Sequence, residues 1–240
     1  MYSNYIFDLY GTLVNINTNE EFSFLWEKLR LFYSFNRAIY TRDELKSKYF
    51  TLVNKKLDSN LCASYPDFDI EEVFKELYIY KNIYPSKDLI KDTAHFFRIL
   101  SIEKLELYEG VANLLDKLKN KNKRIFLLTN AQKIFTSYEL ELLGIKKYFD
   151  GILYSSDYKV SKPSKEFYNI LLNKYNLKVK ETIMIGNDYF CDITPAKNLK
   201  LDTLYIHSNI SPQLNYEVNS TYKILDGNVE KINELIIKLN

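Results

Sequence analysis

The chain has 240 residues, 33 Lys and Arg against 31 Asp and Glu, 46% hydrophobic residues and two cysteines, a composition expected of a globular protein of one to two domains with a sizeable core. Its net charge of +2, with bases and acids evenly mixed, argues against a field aimed at nucleic acid or an anionic membrane. Cys62 and Cys191 form no C-x-x-C or Cys/His cluster, which argues against a disulfide framework or zinc site and fits a reducing, cytoplasmic setting.

At the N-terminus, Tyr5-Ile6-Phe7 is a short apolar run that empties into Asp8-Leu9-Tyr10-Gly11-Thr12. That pattern reads as a buried strand followed by a glycine turn, and Asp8 interrupts it before a signal-peptide core can form. From about residue 17 to 101 the spacing is helical, with segments expected at 20–35, 41–57, 69–84 and 86–100 and no strand among them. Thr41-Arg42-Asp43-Glu44 has the spacing of a capping box, and Asp69 and Ser86 are N-cap candidates. After Leu107 helices and short apolar strands alternate. Helices are expected at 109–120, 133–143, 164–175, just after Asp192 and at 229–239, and strands at 124–129, 151–154, 182–185, 203–206 and, at an edge, 222–225. No apolar run reaches the roughly 18 residues of a membrane span.

Alternation of this kind points to the α/β class, a doubly wound parallel sheet with helices on both faces. The first strand stands at the N-terminus and an all-helical insertion separates it from the rest. The expected division is an α/β core of residues 1–14 and 104–240 and a helical domain of residues 15–103.

Open parallel sheets bind ligands beyond the carboxyl ends of their strands. Those ends present Asp8 and Tyr10 after the first strand, Thr129 and Asn130 after the next, Lys162 before the helix at 164, and Asp188 and Asp192 after the strand at 182. The set suits phosphoryl transfer. Mg2+ takes oxygen ligands, commonly one or two carboxylates with water and substrate phosphate. A carboxylate can attack phosphorus, while metal and ammonium neutralise the charges that would repel it. Lys162 suits the ammonium role as a point charge, and Thr129, with the backbone N–H groups opening the next helix, can hold phosphate oxygens.

In order and spacing, Asp8-Leu9-Tyr10-Gly11-Thr12-Leu13, Leu127-Leu128-Thr129-Asn130, Ser161-Lys162-Pro163 and Ile185-Gly186-Asn187-Asp188 through Asp192-Ile193 resemble the four motifs of the haloacid dehalogenase superfamily, with a helical cap inserted after the first. The resemblance implies Asp8 as nucleophile and a catalytic set of Asp8, Tyr10, Thr129 and Lys162. It also implies substrate binding by Thr129, Asn130 and Lys162, and Mg2+ held among Asp8, Tyr10, Asp188 and Asp192. The implied activity is hydrolysis of a small phosphorylated metabolite through an aspartyl-phosphate.

Two positions depart from the family's phosphatases. Where they usually carry a second Asp, this chain has Tyr10; a phenol of pKa ~10 is a poor acid at neutral pH, and positioned acid–base catalysis contributes roughly 10²–10⁴-fold. The Asp-x-Tyr-Gly-Thr form is similar to metal-free 2-haloacid dehalogenases, whose leaving halide needs no proton and whose reaction passes through an aspartyl ester. Pulling the other way, three acids gathered at one rim call for a cation. Asn187 stands where many relatives have the first Asp of the acidic motif, which leaves Asp188 and Asp192 as alternative metal ligands. A third reading is a weakly active relative that binds a phosphorylated ligand.

The remaining candidates read as structural. Arg37 and Arg42 fall in the cap region, where dehalogenases keep a halide-binding arginine, but their surroundings do not match and Arg42 lies within a capping box. Tyr168, Trp26, Phe32, Tyr33 and Phe35 follow helical spacing and read as packing. His95 and His207 are isolated, and Cys191 reads as a small packing residue.

Overall fold

The computed structural model describes residues 2–59, 65–213 and 217–238, so Cys62 lies outside the described residues. The first strand, β1 (Asn4–Phe7), is buried at all four positions, as a strand covered on both faces must be. The chain turns at Gly11 into β2 (Val14–Thr18), runs through α1 (Ser23–Phe35), α2 (Arg42–Ser59), α3 (Ile70–Tyr80) and α4 (Lys87–Ser101), and returns along β3 (Ile102–Leu107). Alternation then sets in: α5 (Val111–Asn120), β4 (Arg124–Thr129), α6 (Lys133–Leu142), β5 (Gly151–Tyr154), α7 (Ser155–Tyr158), α8 (Lys165–Lys174) and β6 (Thr182–Gly186). A π-helical turn, Tyr189–Ile193, leads into α9 (Thr194–Asn198), followed by β7 (Asp202–Ile206), β8 (Tyr222–Ile224) and α10 (Glu230–Lys238).

Six strands form one sheet in the order β5-β4-β1-β6-β7-β8, and every pairing in it is parallel. The doubly wound α/β class expected from the sequence is the one observed. Period-2 alternation divides the side chains between two faces. Ile6, Phe126, Leu128 and Met184 pack with Phe167, Tyr168 and Leu171 of α8, whereas Tyr5, Phe7, Leu127 and Ile185 pack with Val111, Leu114 and Leu118 of α5.

The helices α1–α4 bury a core of their own, built on Trp26, Tyr33, Phe74, Tyr78 and Phe97. Much of the chain's aromatic content is spent there: the Tyr33 and Tyr78 rings lie 4.3 Å apart and Trp26 packs on Tyr49 and Phe97 at 5.2 and 5.8 Å. Local signals for these helices hold. Thr41 Oγ1 accepts from the Glu44 N–H at 3.2 Å, the Asp69 carboxylate from Glu71 and the Ser86 hydroxyl from Leu89, each satisfying an orphan donor of a helix start.

Several sequence expectations need correction. The stretch expected to be free of strands is framed by a ribbon, β2 paired antiparallel with β3, with Val14 opposite Leu107 and Ile16 opposite Leu105. This ribbon runs through both expected boundary points, 14/15 and 103/104. The first helix begins at Ser23 rather than residue 20, because Asn19 Oδ1 takes the Glu21 N–H and Trp26 Nε1 donates to the Glu20 carbonyl, folding residues 19–22 into a turn. The third ends at Tyr80, where Asn82 adopts φ +59° and stops it well before Pro85. The one-turn α7 was not anticipated. Among the described residues no helix is long and apolar enough to cross a membrane.

Candidate active site

Chain order reverses at β1, with β4 on one side and β6 on the other, so the carboxyl ends of these three strands meet at the switch point of the sheet, where open α/β folds bind ligands. A cleft of about 210 Å³ opens there. Asp8, Tyr10, Thr129, Asn130, Lys162, Asp188 and Asp192, nominated from sequence, all line it, with Asn187, Cys191, Ile210 and Pro212.

Its centre is an ammonium between two carboxylates. Lys162 Nζ lies 2.6 Å from Asp8 Oδ1 and 2.7 Å from Asp192 Oδ1, with the Lys162 side chain 2% exposed. Burial by itself would lower the lysine pKa, but Asp192 and Asp8 outweigh it and hold the group above its ordinary value. For Asp192 the balance is reversed: burial pushes its carboxyl above the usual range, against the pull of Lys162. The second oxygen of Asp192 accepts from the Asp188 N–H at 3.0 Å, so both of its oxygens are engaged beneath the cleft.

Two glycines make this packing possible. A Cβ on Gly186 would stand 2.3 Å from Asp192 Oδ2, and one on Gly11, at φ +88°, would stand 2.6 Å from Asn187 Cγ, the carbon of its amide. Gly186→Ala is therefore expected to displace the Asp192 carboxylate and cost about 1–3 kcal/mol, the range for overpacking a close-packed interior. Urea denaturation checks this, and an unchanged midpoint would contradict it.

Asp188 has a different environment from Asp192. It is half-buried, and its Oδ1 accepts from the N–H groups of Phe190 and Cys191 at 2.8 and 2.9 Å, capping the π-helical turn. Asn187, where the sequence departs from the usual acid, turns its amide nitrogen to Asp8 Oδ2 at 3.3 Å and to the Tyr10 carbonyl at 3.1 Å. Thr12 Oγ1 also donates to Asp8 Oδ2, at 3.2 Å. Asp8 thus has donors on both oxygens. The Thr129 hydroxyl, buried at the end of β4, has no hydrogen-bond partner, an uncommon condition that a ligand oxygen would relieve. Asn130 clamps a loop: its amide donates to the Lys162 carbonyl at 2.9 Å and accepts from the Lys162 N–H at 2.7 Å.

The Tyr10 hydroxyl donates to Glu139 Oε2 and is 2.8 Å from Thr136 Oγ1. Burial and the Glu139 carboxylate raise its pKa well above that of a free phenol, which removes it further from acid catalysis at neutral pH. Glu139 in turn pairs with Arg98 at 2.6 Å. Thr12, Asn187, Glu139 and Arg98 are not among the residues given a functional role from sequence; Thr12 and Asn187 carried a signal, standing inside the first motif and the acidic motif, whereas Glu139 and Arg98 carried none.

The residues read as structural take structural places. Tyr168 is fully buried and its hydroxyl donates to the carbonyls of Cys191 and Asp192, at 2.8 and 3.1 Å, which also steadies the acidic loop. His95 bonds to the Ile134 carbonyl and His207 to the Tyr205 hydroxyl. Arg42 pairs with Asp43 in solvent. Burial raises the Cys191 thiol to about 12, and Phe35 is exposed rather than packed.

A family model described as haloacid dehalogenase-like hydrolase matches residues 2–200. Glyceraldehyde 3-phosphate phosphatase of Methanocaldococcus jannaschii is 28% identical over 128 residues, 51% of this chain and 56% of that protein. Pyrophosphatase PpaX of Halalkalibacterium halodurans is 25% identical over 84% of this chain and 81% of its own length. The chain spans about half the length of most curated relatives it matches, for example 43% of a ribulose-1,5-bisphosphate 5-phosphatase of Halopiger xanaduensis. Among solved structures, 2-haloacid dehalogenase from Pseudomonas syringae pv. Tomato superposes over the full length of both chains with a TM-score of 0.69 at 15% identity, a likeness of fold.

Proposed function

We propose that this chain, which belongs to the haloacid dehalogenase-like hydrolase family, is a Mg2+-dependent phosphatase of a small phosphorylated metabolite, with Asp8 as nucleophile and α1–α4 as a cap over the cleft. The observation that carries this reading is a surplus of negative charge. Asp8, Asp188 and Asp192 line the cleft beside one cationic side chain, Lys162, and a surplus of this kind in a partly buried site calls for a further cation.

The donors at the cleft fit a hard metal. Among the described residues no three Asp, Glu, His or Cys side chains are grouped closely enough to cage a metal alone. Mg2+ commonly takes one or two carboxylates and fills its shell with water and phosphate oxygens. Asp8, Asp188 and the Tyr10 carbonyl would hold it, with Asp192 behind them as the anchor of Lys162. When bound, it would supply positive charge against the phosphoryl oxygens.

Lys162 and the unpartnered Thr129 hydroxyl receive the substrate's phosphoryl oxygens, with Asn130 fixing the Lys162 backbone. Donors from Thr12 and Asn187 on Oδ2 and from Lys162 on Oδ1 fix the rotamer of Asp8. An Asp8 oxygen forms a bond to phosphorus as the bond to the leaving oxygen breaks. With Tyr10 committed to Glu139 and Thr136, that oxygen takes its proton from water. A second water attacks phosphorus, breaks the aspartyl-phosphate and regenerates Asp8.

A second reading, a metal-free 2-haloacid dehalogenase, is favoured by Tyr10 alone. Assays of p-nitrophenyl phosphate and of a 2-haloacid, each with Mg2+ and with EDTA, separate the two. Phosphate release that needs Mg2+ is expected; halide release unaffected by EDTA would overturn the phosphatase reading.

A further inference from the structure

From the Asp8 turn, the Tyr10 hydroxyl reaches to α6, where it meets Glu139 and Thr136. The other oxygen of Glu139 is held at 2.6 Å by Arg98 Nε, in the last turn of α4, and this ion pair is largely withdrawn from solvent, with side chains 14% and 6% exposed. Burying such a pair carries a desolvation penalty that good geometry and extra hydrogen bonds must offset. Here the Tyr10 hydroxyl supplies one such bond. The Arg98 guanidinium also lies 5.2 Å from the centroid of the Phe135 ring.

The helix in the middle of this chain of contacts is fastened to the helical insertion along much of its length. Phe135, on α6, belongs to the insertion's own core and stacks on Phe97 at 6.3 Å. At the head of α6 the Gln132 amide donates to the Phe68 carbonyl and accepts from the Ile70 N–H, both at 2.9 Å. A shift of the insertion is therefore a shift of α6. Tyr10 joins α6 to the nucleophile turn, and that turn is stiff: the Leu9 carbonyl accepts from Thr12, Leu13 and Val14.

We propose that Arg98 and Glu139 are positioning residues, which hold Tyr10, and through it the Asp8 turn, in register with the helical insertion. The seat of the insertion on α6 then sets where the Asp8 carboxylate stands. Misplacing a reacting group by about 1 Å can cost about 10²-fold in rate, so a junction remote from the cleft acquires a hold on the chemistry. The kinetic part of this inference rests on Asp8 as the phosphatase nucleophile; the structural part does not.

The test uses the full chain with Arg98→Met, Tyr10→Phe and both together, and Leu77→Ala as a control that weakens the insertion's core without touching this chain of contacts. Amide hydrogen exchange is read over residues 8–14, together with kcat and KM for p-nitrophenyl phosphate. Arg98→Met is expected to speed exchange in that segment at least about threefold beyond Leu77→Ala at matched global stability. It is also expected to lower kcat roughly tenfold with KM nearly unchanged. The double variant should be no worse than Arg98→Met alone, as members of one network are non-additive, and Arg98→Lys should recover part of the loss. Exchange in Arg98→Met no faster than in the control, or losses in kcat that multiply in the double variant, would overturn the proposal. Should the wild type release no phosphate under any condition, the phosphatase reading fails, and the exchange comparison alone decides whether Arg98 positions the Asp8 turn.

Discussion

Lys162→Met is expected to lower the stability of the metal-free protein by about 3–5 kcal/mol, the range for removing one partner of a buried ion pair. Methionine nearly matches the lysine stem in length and leaves the packing; what it removes is the charge. Asp192, 0% exposed, then has no cation to face, and its remaining hydrogen bond, from the Asp188 N–H, satisfies one oxygen. For a chain of this length the loss corresponds to a thermal midpoint lower by roughly 10 °C. The double variant Lys162→Met/Asp192→Asn supplies the internal check. Neutralising the stranded carboxylate should return much of the stability without returning activity, because the ammonium proposed to receive the phosphoryl oxygens is still missing. A single variant within about 1 kcal/mol of wild type, the value of an ordinary surface pair, would show that the Asp8–Lys162–Asp192 array does not hold the site together.

Asp8→Asn tests the chemistry with little change of shape. The asparagine keeps an oxygen for Thr12 or Lys162 but is no nucleophile toward phosphorus, and phosphate release is expected to fall about 10⁴-fold or more, as for nucleophiles removed from covalent catalysts. Binding of inorganic phosphate should survive, since Lys162 and the Thr129 hydroxyl remain. Loss of phosphate release together with retained phosphate binding is the expected pair. Phosphate release within about tenfold of wild type would remove Asp8 from the nucleophile's role, because a group contributing only positioned acid–base assistance is itself worth roughly 10²–10⁴-fold.

Much of the lining of the candidate site was legible in the sequence because its motifs are local. Three of them are a strand end with the two or three residues beyond it, and a parallel sheet gathers strand ends at one edge whatever their order. Asp8, Thr129 and Asp188 could be named for that reason; Lys162 stands past α7, in the loop before α8. Relations between motifs were not legible. Asp188 and Asp192 are equivalent by spacing, yet one caps a turn at the cleft and the other is buried behind Lys162. Asn130 lines the cleft as expected, but that its amide also holds the Lys162 backbone is not visible from spacing. Arg98 and Glu139 resemble any pair of charges on amphipathic helices, and their meeting is a matter of how α4 lies on α6. The ribbon of β2 and β3 leaves little local signal because β2 is short, carries Asn at two of its five positions, and finds its partner only after the whole helical insertion. Its pairing is non-local, which no window along the chain detects.

Attack of Asp8 on phosphorus can be caught by acid-quenching the wild-type protein during its first turnover of p-nitrophenyl phosphate with Mg2+ and weighing the peptide that carries Asp8 by mass spectrometry. The expected result is a phosphoryl group on Asp8, absent in EDTA and absent from Asp8→Asn. Release of phosphate with Asp8 unmodified at every quench time, or an ester on Asp8 after turnover of a 2-haloacid, would contradict it.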